Sequence, residues 1–357
     1  MLMDCFVAAL LAMTYRQVNM IINKSKLYHP QDAVKLAFQA AFGAEHLLLD
    51  KTKAKAYFDE EYAKDLKPAP LIEKIASDAV RVSLAAWKDA KLPKDWLFDM
   101  FLFSSEEKNM NSNKLFEGYL YEIGQLAEKD GLPFSLTDWN MYISDYNAHD
   151  KPKPVRHSDE YRKKEQPAYR IVSGFFVRLI PILYALRGKE RAVIGIDGRA
   201  ASGKSTMADG LAKIFKGVPI SMDDFFLPGE LRTAQRLDEP GGNVHYERFA
   251  EEVISNLRSQ NAIRYRPFNC RTMDYDTPKI IPPSSFMVIE GAYCHHPYFG
   301  DYLDARVFSD VSANEQMRRL IKRNGEQIYE VFKNKWIPME EQYFEAHKIA
   351  ENACLTV

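Results

Sequence analysis

Apolar and polar positions follow two different rhythms along this chain. Over the first half the spacing is mostly that of helices. Residues 31–42 (QDAVKLAFQAAF) set Val34, Phe38 and Phe42 at i, i+4 and i+8, and Gly43 can close the helix as its C′ residue. Residues 45–66 continue in helical register with charges on the open face, and Pro68 and Pro70 punctuate the chain. Residues 80–84 (VRVSL) alternate weakly, as a short strand does. Residues 94–103 and 113–129 read as two more helices. Ser135 and Asp138 form an S-x-x-D capping pattern that starts another, running to about Tyr146. Pro152 and Pro154 then force an extended segment, and Ser158 can cap a short helix.

Two apolar stretches raise the question of a membrane. Residues 1–13 (MLMDCFVAALLAM) are short, contain Asp4 and lack a basic leader, which predicts an amphipathic first helix. Residues 168–187 (AYRIVSGFFVRLIPILYALR) carry Arg170, Arg178 and Arg187, costly in lipid, and read as a buried helix kinked at Pro181.

The second half changes rhythm. Residues 192–197 (AVIGID), 218–222 (VPISM), 286–290 (FMVIE) and 306–310 are short apolar runs. Helical stretches at 205–216, 246–257, 314–323 and 339–349 come between and after them. Strands alternating with helices predict an α/β fold with a parallel sheet flanked by helices over residues 188–357. A mainly α-helical domain precedes it over residues 1–187, since 357 residues exceed what one core usually supports.

Composition adds exclusions. With 27% charged and 46% hydrophobic residues and a formal net charge of −1, the chain reads as an ordinary soluble globular protein. No global field draws it to nucleic acid or acidic membranes, so neither is an expected partner. Its four cysteines, Cys5, Cys270, Cys294 and Cys354, are scattered, which suits a reducing cytoplasm. A homo-oligomer stays open.

The chemistry concentrates at residues 198–206 (GRAASGKST), which match G-x-x-x-x-G-K-[ST], the Walker A phosphate-binding loop, between a strand and a helix. Gly198 and Gly203 let backbone N–H groups turn inward, so Gly198, Ala201, Ser202, Gly203, Lys204, Ser205 and Thr206 are the expected ATP-binding set. Lys204 would reach the β/γ-phosphates and Ser205 would sit on Mg²⁺. Glu290 ends an apolar strand as a Walker B acid does, and so is the second expected Mg²⁺ group, partly through water. Asp223 follows another strand and would act as general base on a hydroxyl acceptor. The plain alternative for both acids is capping of the next turn.

Arg319 and Arg323, with Arg318 and Lys322, put cations on one helix that could close over a transferring phosphate, or simply face solvent. Two aromatic and polar stretches, 237–249 (LDEPGGNVHYERF) and 265–275 (YRPFNCRTMDY), are placed to form an acceptor pocket. From them and from the 290s come His245, Tyr246, Arg248, Arg271 and Tyr293 as candidate substrate-binding residues. Cys294-His295-His296 could suggest a metal, but adjacent ligands rarely converge on one ion, and packing around Pro297 is the expected role. His157 reads as a partly buried structural histidine, with a separate site near His46 or His157 as the rival.

Residues 197–206 (DGRAASGKST), 222–228 (MDDFFLP), 289–293 (IEGAY) and 319–324 (RLIKRN) together resemble the uridine kinase-like P-loop kinases, a superfamily that includes pantothenate kinase and phosphoribulokinase. The resemblance covers about residues 188–357. It implies Asp223 as base, Lys204 and Ser205 as phosphate and Mg²⁺ residues, Glu290 as second acid, and Arg319 and Arg323 as lid arginines. Departures stand at His245, where the family carries an acid that holds ribose, and at Asn324, which replaces an aspartate. The segment 268–271 does not clearly match the family's base pocket. Residues 42–49 (FGAEHLLL) and 155–162 (VRHSDEYR) look like what precedes such kinase domains in some bacterial proteins described as uridine kinase-like. The resemblance implies a cytoplasmic kinase using ATP and Mg²⁺ on a small hydroxyl acceptor, first a uridine- or cytidine-like nucleoside, otherwise pantothenate, a sugar or a sugar acid. A nucleotide-dependent switch working through the N-terminal domain is the rival class.

Overall fold

The computed structural model describes residues 20–44, 50–106, 110–129, 131–147, 152–259 and 261–357, so the expected first helix over 1–13 and His46 lie outside the described residues. The chain divides into two compact units, Met1–Ile180 and Pro181–Val357.

In the first unit, helix α1 (Pro30–Phe42) begins on a proline, with the His29 N–H donating to Asp32 at 3.1 Å. It buries Val34 and Phe38 and ends at Gly43, whose φ of 54° is a conformation suited to glycine. Helix α2 (Lys51–Ala63) is capped by Asp50, which accepts from the Thr52 and Lys53 N–H groups. Helices α3 (Lys94–Glu106), α4 (Ser112–Glu128) and α5 (Leu136–Asn147) follow the predicted periodicity. The Ser135–Asp138 box closes reciprocally, at 3.0 and 3.1 Å. Helix α6 (Asp159–Glu165) is capped by Ser158.

A three-stranded antiparallel sheet, β1 (Ile72–Lys74), β2 (Ala79–Ser83) and β3 (Tyr169–Ser173), joins these helices. Strand β2 is buried at every position, which explains why its alternation was weak in the sequence. Strand β3 corrects the expected kinked helix over 168–187. Tyr169–Ser173 pairs with β2 across five residues, and only Gly174–Val177 and Ile180–Ala185 are helical. Tertiary pairing of β-branched and aromatic residues outweighed the apolar run. Among the described residues no helix is long and apolar enough to cross a membrane.

The second unit is built on a five-stranded, wholly parallel sheet. Its strands are β4 (Ala192–Gly198), β5 (Ile220–Ser221), β6 (Phe286–Glu290), β7 (Ala305–Ser309) and β8 (Leu355–Thr356), arranged β5-β6-β4-β7-β8. Helix α7 (Lys204–Phe215) leaves the central strand β4, and α8 (Tyr246–Glu252), α9 (Ala313–Asn324) and α10 (Ile337–His347) complete the main helical set. Strand β5 is shorter than expected because Met222–Phe225 turns into a 3₁₀ helix. The aromatic stretch at 265–275 lies largely in two antiparallel pairs, Ile263–Tyr265 with Lys279–Ile281 and Phe268–Asn269 with Asp274–Tyr275. Phe225, Phe249, Ile289, Phe308 and Tyr343 belong to one core cluster.

Candidate active site

Strand register brings the chemistry to one edge of the sheet. Glu290 stands level with Ser221 on one neighbour and Ile196 on the other, and Ser309 is level with Gly198. Ligands of open parallel sheets bind outside these carboxyl ends. The chain leaves β4 there through Gly198, whose φ is 137° and where a Cβ would stand 2.1 Å from the Ser309 carbonyl oxygen. Only glycine fits that position.

The phosphate loop is held from several sides. Its turn puts Ala201 at φ 57° and Gly203 at φ 104°, and the first is a strained setting for a residue with a Cβ. Helix α9 supports the crown: Gln316 donates to the Ala200 carbonyl at 3.1 Å, and Arg319 donates to those of Ala201 and Ser202 at 3.0 and 3.2 Å. From α10, the Glu340 carboxylate accepts the Ala200 N–H at 2.9 Å. Lys204 closes the loop from inside, donating to the carbonyls of Gly198 at 2.7 Å and Arg199 at 2.9 Å. At its base, fully buried Asp197 accepts from the N–H groups of Gly198, Tyr293 and His295 and from the Tyr343 hydroxyl at 2.9 Å.

The two expected acids have different surroundings. Glu290 is buried and accepts from the Ser205 hydroxyl at 3.0 Å and the Ser221 hydroxyl at 2.7 Å. Burial raises its carboxyl and Asp223 adds to the rise, while the two serines and Lys204 oppose it. Asp223 opens to solvent within a cleft yet is walled by protein on most sides, so desolvation raises its carboxyl above the ordinary range; Lys204 and Arg323 work against this. Asp224 beside it is committed elsewhere, accepting from the Tyr265 hydroxyl at 2.9 Å and Lys279 at 2.7 Å.

These groups share a cleft of about 790 Å³. Ala201, Gly203, Lys204, Ser205, Thr206, Asp223, Glu290, Tyr293, Arg319 and Arg323 all line it. Gly198 and Ser202 stand behind the loop rather than on its open face, and Ser202 is 1% exposed. Arg323 keeps one bond, to Asn324 at 2.8 Å, whereas Arg318 is exposed and paired with Glu315.

Four candidate substrate residues lie away from the cleft. His245 lines a separate cavity of about 430 Å³ with Arg236 and Glu239. Tyr246 packs against His296 and Tyr298 at 4.8 and 4.5 Å between ring centroids, with the Arg236 guanidinium 3.7 Å over its ring. Arg248 is buried against Phe225 and Tyr275 and donates to the Asp224 carbonyl at 2.8 Å, so it props the turn that carries Asp223. Arg271 is exposed. In their place the cleft uses Phe226, Asn243 and Cys270, from stretches the sequence marked without naming these residues, and Arg232, Trp336 and Glu340, from stretches it did not mark for chemistry. Trp336 arrives on a π-helical segment, Phe332–Trp336, an irregularity common at functional sites but invisible to helical periodicity. Asn243 stands beside the Tyr293 hydroxyl, yet neither of its amide atoms closes a hydrogen bond of ordinary length.

The Cys294-His295-His296 run is buried within the second unit. Cys294 is buried, the His295 ring meets the Gly195 carbonyl at 3.1 Å, and burial pushes His296 down to about 4. No group of three His, Cys, Asp or Glu side chains among the described residues could hold a metal.

Glu340 offers a test of the loop's support. Burial lifts its carboxyl to about 7, against the opposing pull of Lys204 and the Ala200 N–H. The folded state therefore keeps its proton to higher pH than the unfolded chain does, and this residue's contribution to stability falls as pH rises from about 4.5 to 7. We expect Glu340→Gln to match the parent near pH 5 and exceed it at pH 8, by up to about 3 kcal/mol. Urea midpoints at the two pH values check this; parallel pH profiles for parent and variant would refute it.

A parallel sheet in this order, with a glycine loop running from its central strand into a helix that opens on Lys204-Ser205, is an α/β P-loop fold. No protein-family model matches the chain, and no curated protein does. Among solved structures it is similar to a possible uridine kinase from Bacillus stearothermophilus, at 18% identity and a TM-score of 0.40, covering 51% of this chain and 96% of that one. It is also similar to a proposed fructose transport system kinase from a Silicibacter species, at 20% identity and a TM-score of 0.41, covering 51% and 98%.

Proposed function

We propose that this chain is an ATP-dependent kinase that transfers the γ-phosphoryl group to a hydroxyl of a small molecule. The observation that carries the reading is the shared cleft, in which Lys204, Ser205, Asp223, Glu290 and Arg323 open onto one space. In this reading residues 188–357 are the kinase domain and residues 1–187 an accessory domain. A uridine- or cytidine-like nucleoside is the first candidate acceptor, and pantothenate, a sugar or a sugar acid the alternatives.

The residues present fit Mg·ATP. The loop backbone is pre-turned, and the Ser205 hydroxyl and Glu290 carboxylate are the hard oxygen donors that Mg²⁺ prefers, few enough to leave room for phosphates and water. When bound, the ion supplies charge neutralisation between the phosphates. Lys204 exchanges its loop carbonyls for phosphate oxygens, and Arg319 and Arg323 add positive charge where negative charge develops. Asp223 takes the proton of the acceptor hydroxyl as the new O–P bond forms and the bond to the β-phosphate oxygen breaks, releasing ADP. Its raised carboxyl suits a base that must hold that proton briefly. Phe226 and Trp336, with ring centroids 6.5 Å apart, give the cleft an aromatic wall for a planar or apolar part of the acceptor.

ADP release from Mg·ATP, measured with and without nucleosides, pantothenate and sugar acids, tests the proposal. Release that depends on one of these acceptors is the expected result. Hydrolysis indifferent to every acceptor but modulated by a protein or RNA would replace the kinase with a nucleotide-dependent switch.

A further inference from the structure

The first unit contains a cluster of buried polar groups that the kinase reading leaves unused. Arg81 on β2 is 4% exposed, with its guanidinium 4.7 Å over the Tyr169 ring, bonded to Gln39 at 2.6 Å and paired with Glu73 at 3.3 Å. Glu73 also takes Lys26, at 3.1 Å. Asp32 on α1 is 1% exposed and accepts from the Ser158 N–H and hydroxyl at 2.8 and 2.7 Å. Next to Ser158, His157 stacks on Tyr161 at 3.8 Å between ring centroids. Buried charges are expensive, and replacing them with apolar residues is often neutral or stabilising, so such a cluster around empty space calls for a use.

The space exists. Lys26, Asp32, Glu73, Arg81, His157 and Tyr161 line a cavity of about 150 Å³, closed partly by Leu27, Leu36 and Ile75. That is room for about five waters at 30 Å³ each, or for one molecule of similar size. Two cationic side chains, Lys26 and Arg81, reach this space beside the two carboxylates.

Hydrogen-bonding capacity points the same way. His157 Nε2 stands 2.7 Å from the Tyr169 hydroxyl, whose oxygen accepts from Gln39 Nε2 at 3.1 Å and whose proton can go either to Gln39 Oε1 at 3.4 Å or to this ring nitrogen. With Nε2 accepting that proton, a neutral His157 carries its own on Nδ1. That atom is buried and faces Asp32 Oδ1 at 3.6 Å, an ion-pair separation longer than a hydrogen bond. Burial favours the neutral ring, Asp32 opposes this, and Arg81 and nearby Lys35 add to the effect of burial. The carboxylates facing the cavity already hold two or more donors each, whereas Nδ1–H and Lys26 have donors to spare.

We propose that this cavity in the N-terminal unit binds a small oxyanion, a carboxylate or a phosphate group, through Lys26, Arg81 and His157. The site is built entirely within the first unit and is separate from the phosphate loop. It gives the accessory half of the chain a ligand of its own.

The test follows the His157 ring by ¹⁵N NMR in the full-length protein, its signals assigned by their loss in His157→Gln. Inorganic phosphate is titrated in one arm and acetate in the other, at constant ionic strength against chloride. A saturable displacement of the His157 signals is expected in at least one arm, and the arm that responds identifies phosphate or carboxylate as the group bound. Lys26→Met, at a partly exposed position that leaves the fold intact by thermal melting, should weaken the response tenfold or more, while Lys26→Arg retains it. Lys204→Ala, in the phosphate loop, should leave it unchanged. No saturable displacement in either arm, or one that Lys26→Met leaves untouched, would overturn the proposal.

Discussion

Asp223→Asn is expected to lower kcat by about 10²–10⁴-fold, the usual contribution of a positioned general base, with the KM for ATP close to that of the parent. Asparagine keeps the size of the side chain and loses only its ability to take the proton. Asp223 opens into the cleft and its carboxylate is not tied up as that of Asp224 is, so the fold should tolerate the change. The parent should also lose activity on acidification, at a pH above the ordinary carboxylate range, because burial raises the carboxyl and the base works only when ionised. The variant should lack that limb. Steady-state rates across pH 4–9 check both points, and undiminished turnover by the asparagine variant would remove Asp223 from the role of base.

Lys204→Ala should reduce kcat/KM for ATP by roughly 10³-fold, as expected for removing a fixed charge aimed at developing negative charge. The ammonium contacts two loop carbonyls at 2.7 and 2.9 Å, so the site already holds it where phosphate oxygens would take it over. Because Gln316, Arg319 and Glu340 support the loop independently, the variant should remain folded and lose function rather than structure. Nucleotide titration and thermal melting in parallel distinguish the two. A variant that binds and turns over Mg·ATP normally would contradict the assignment of the loop.

The parallel sheet and its loop were legible because their signals are local. The run 192–197, the glycine spacing and the helix after it each fix a neighbour's conformation, and Glu290 ends its strand where the sequence put it. Strand β3 was not legible. Its pairing with β2 bridges residues about ninety apart, as Ala79 with Ser173, and nothing within the apolar run 168–187 announces it. The cleft divides in the same way. Loop and strand-end residues line it, and Asn243 and Cys270 come from the two stretches expected to form a pocket, while Arg232 and Glu340 come from segments with no motif. Tyr246 and Arg248 carried the right chemistry for an acceptor pocket. The fold spends them on Arg236, His296 and the Asp224 turn.

The long reach between Asp197 and Tyr343, and between Ala200 and Glu340, has a consequence for synthesis. These bonds span 146 and 140 residues. At 5–20 residues per second a ribosome needs roughly 7–30 s to travel that far. For that interval the nascent glycine loop lacks the α10 contacts to Asp197 and Ala200. Nucleotide affinity should therefore arrive late in translation, with helices α9 and α10 and not with the loop itself.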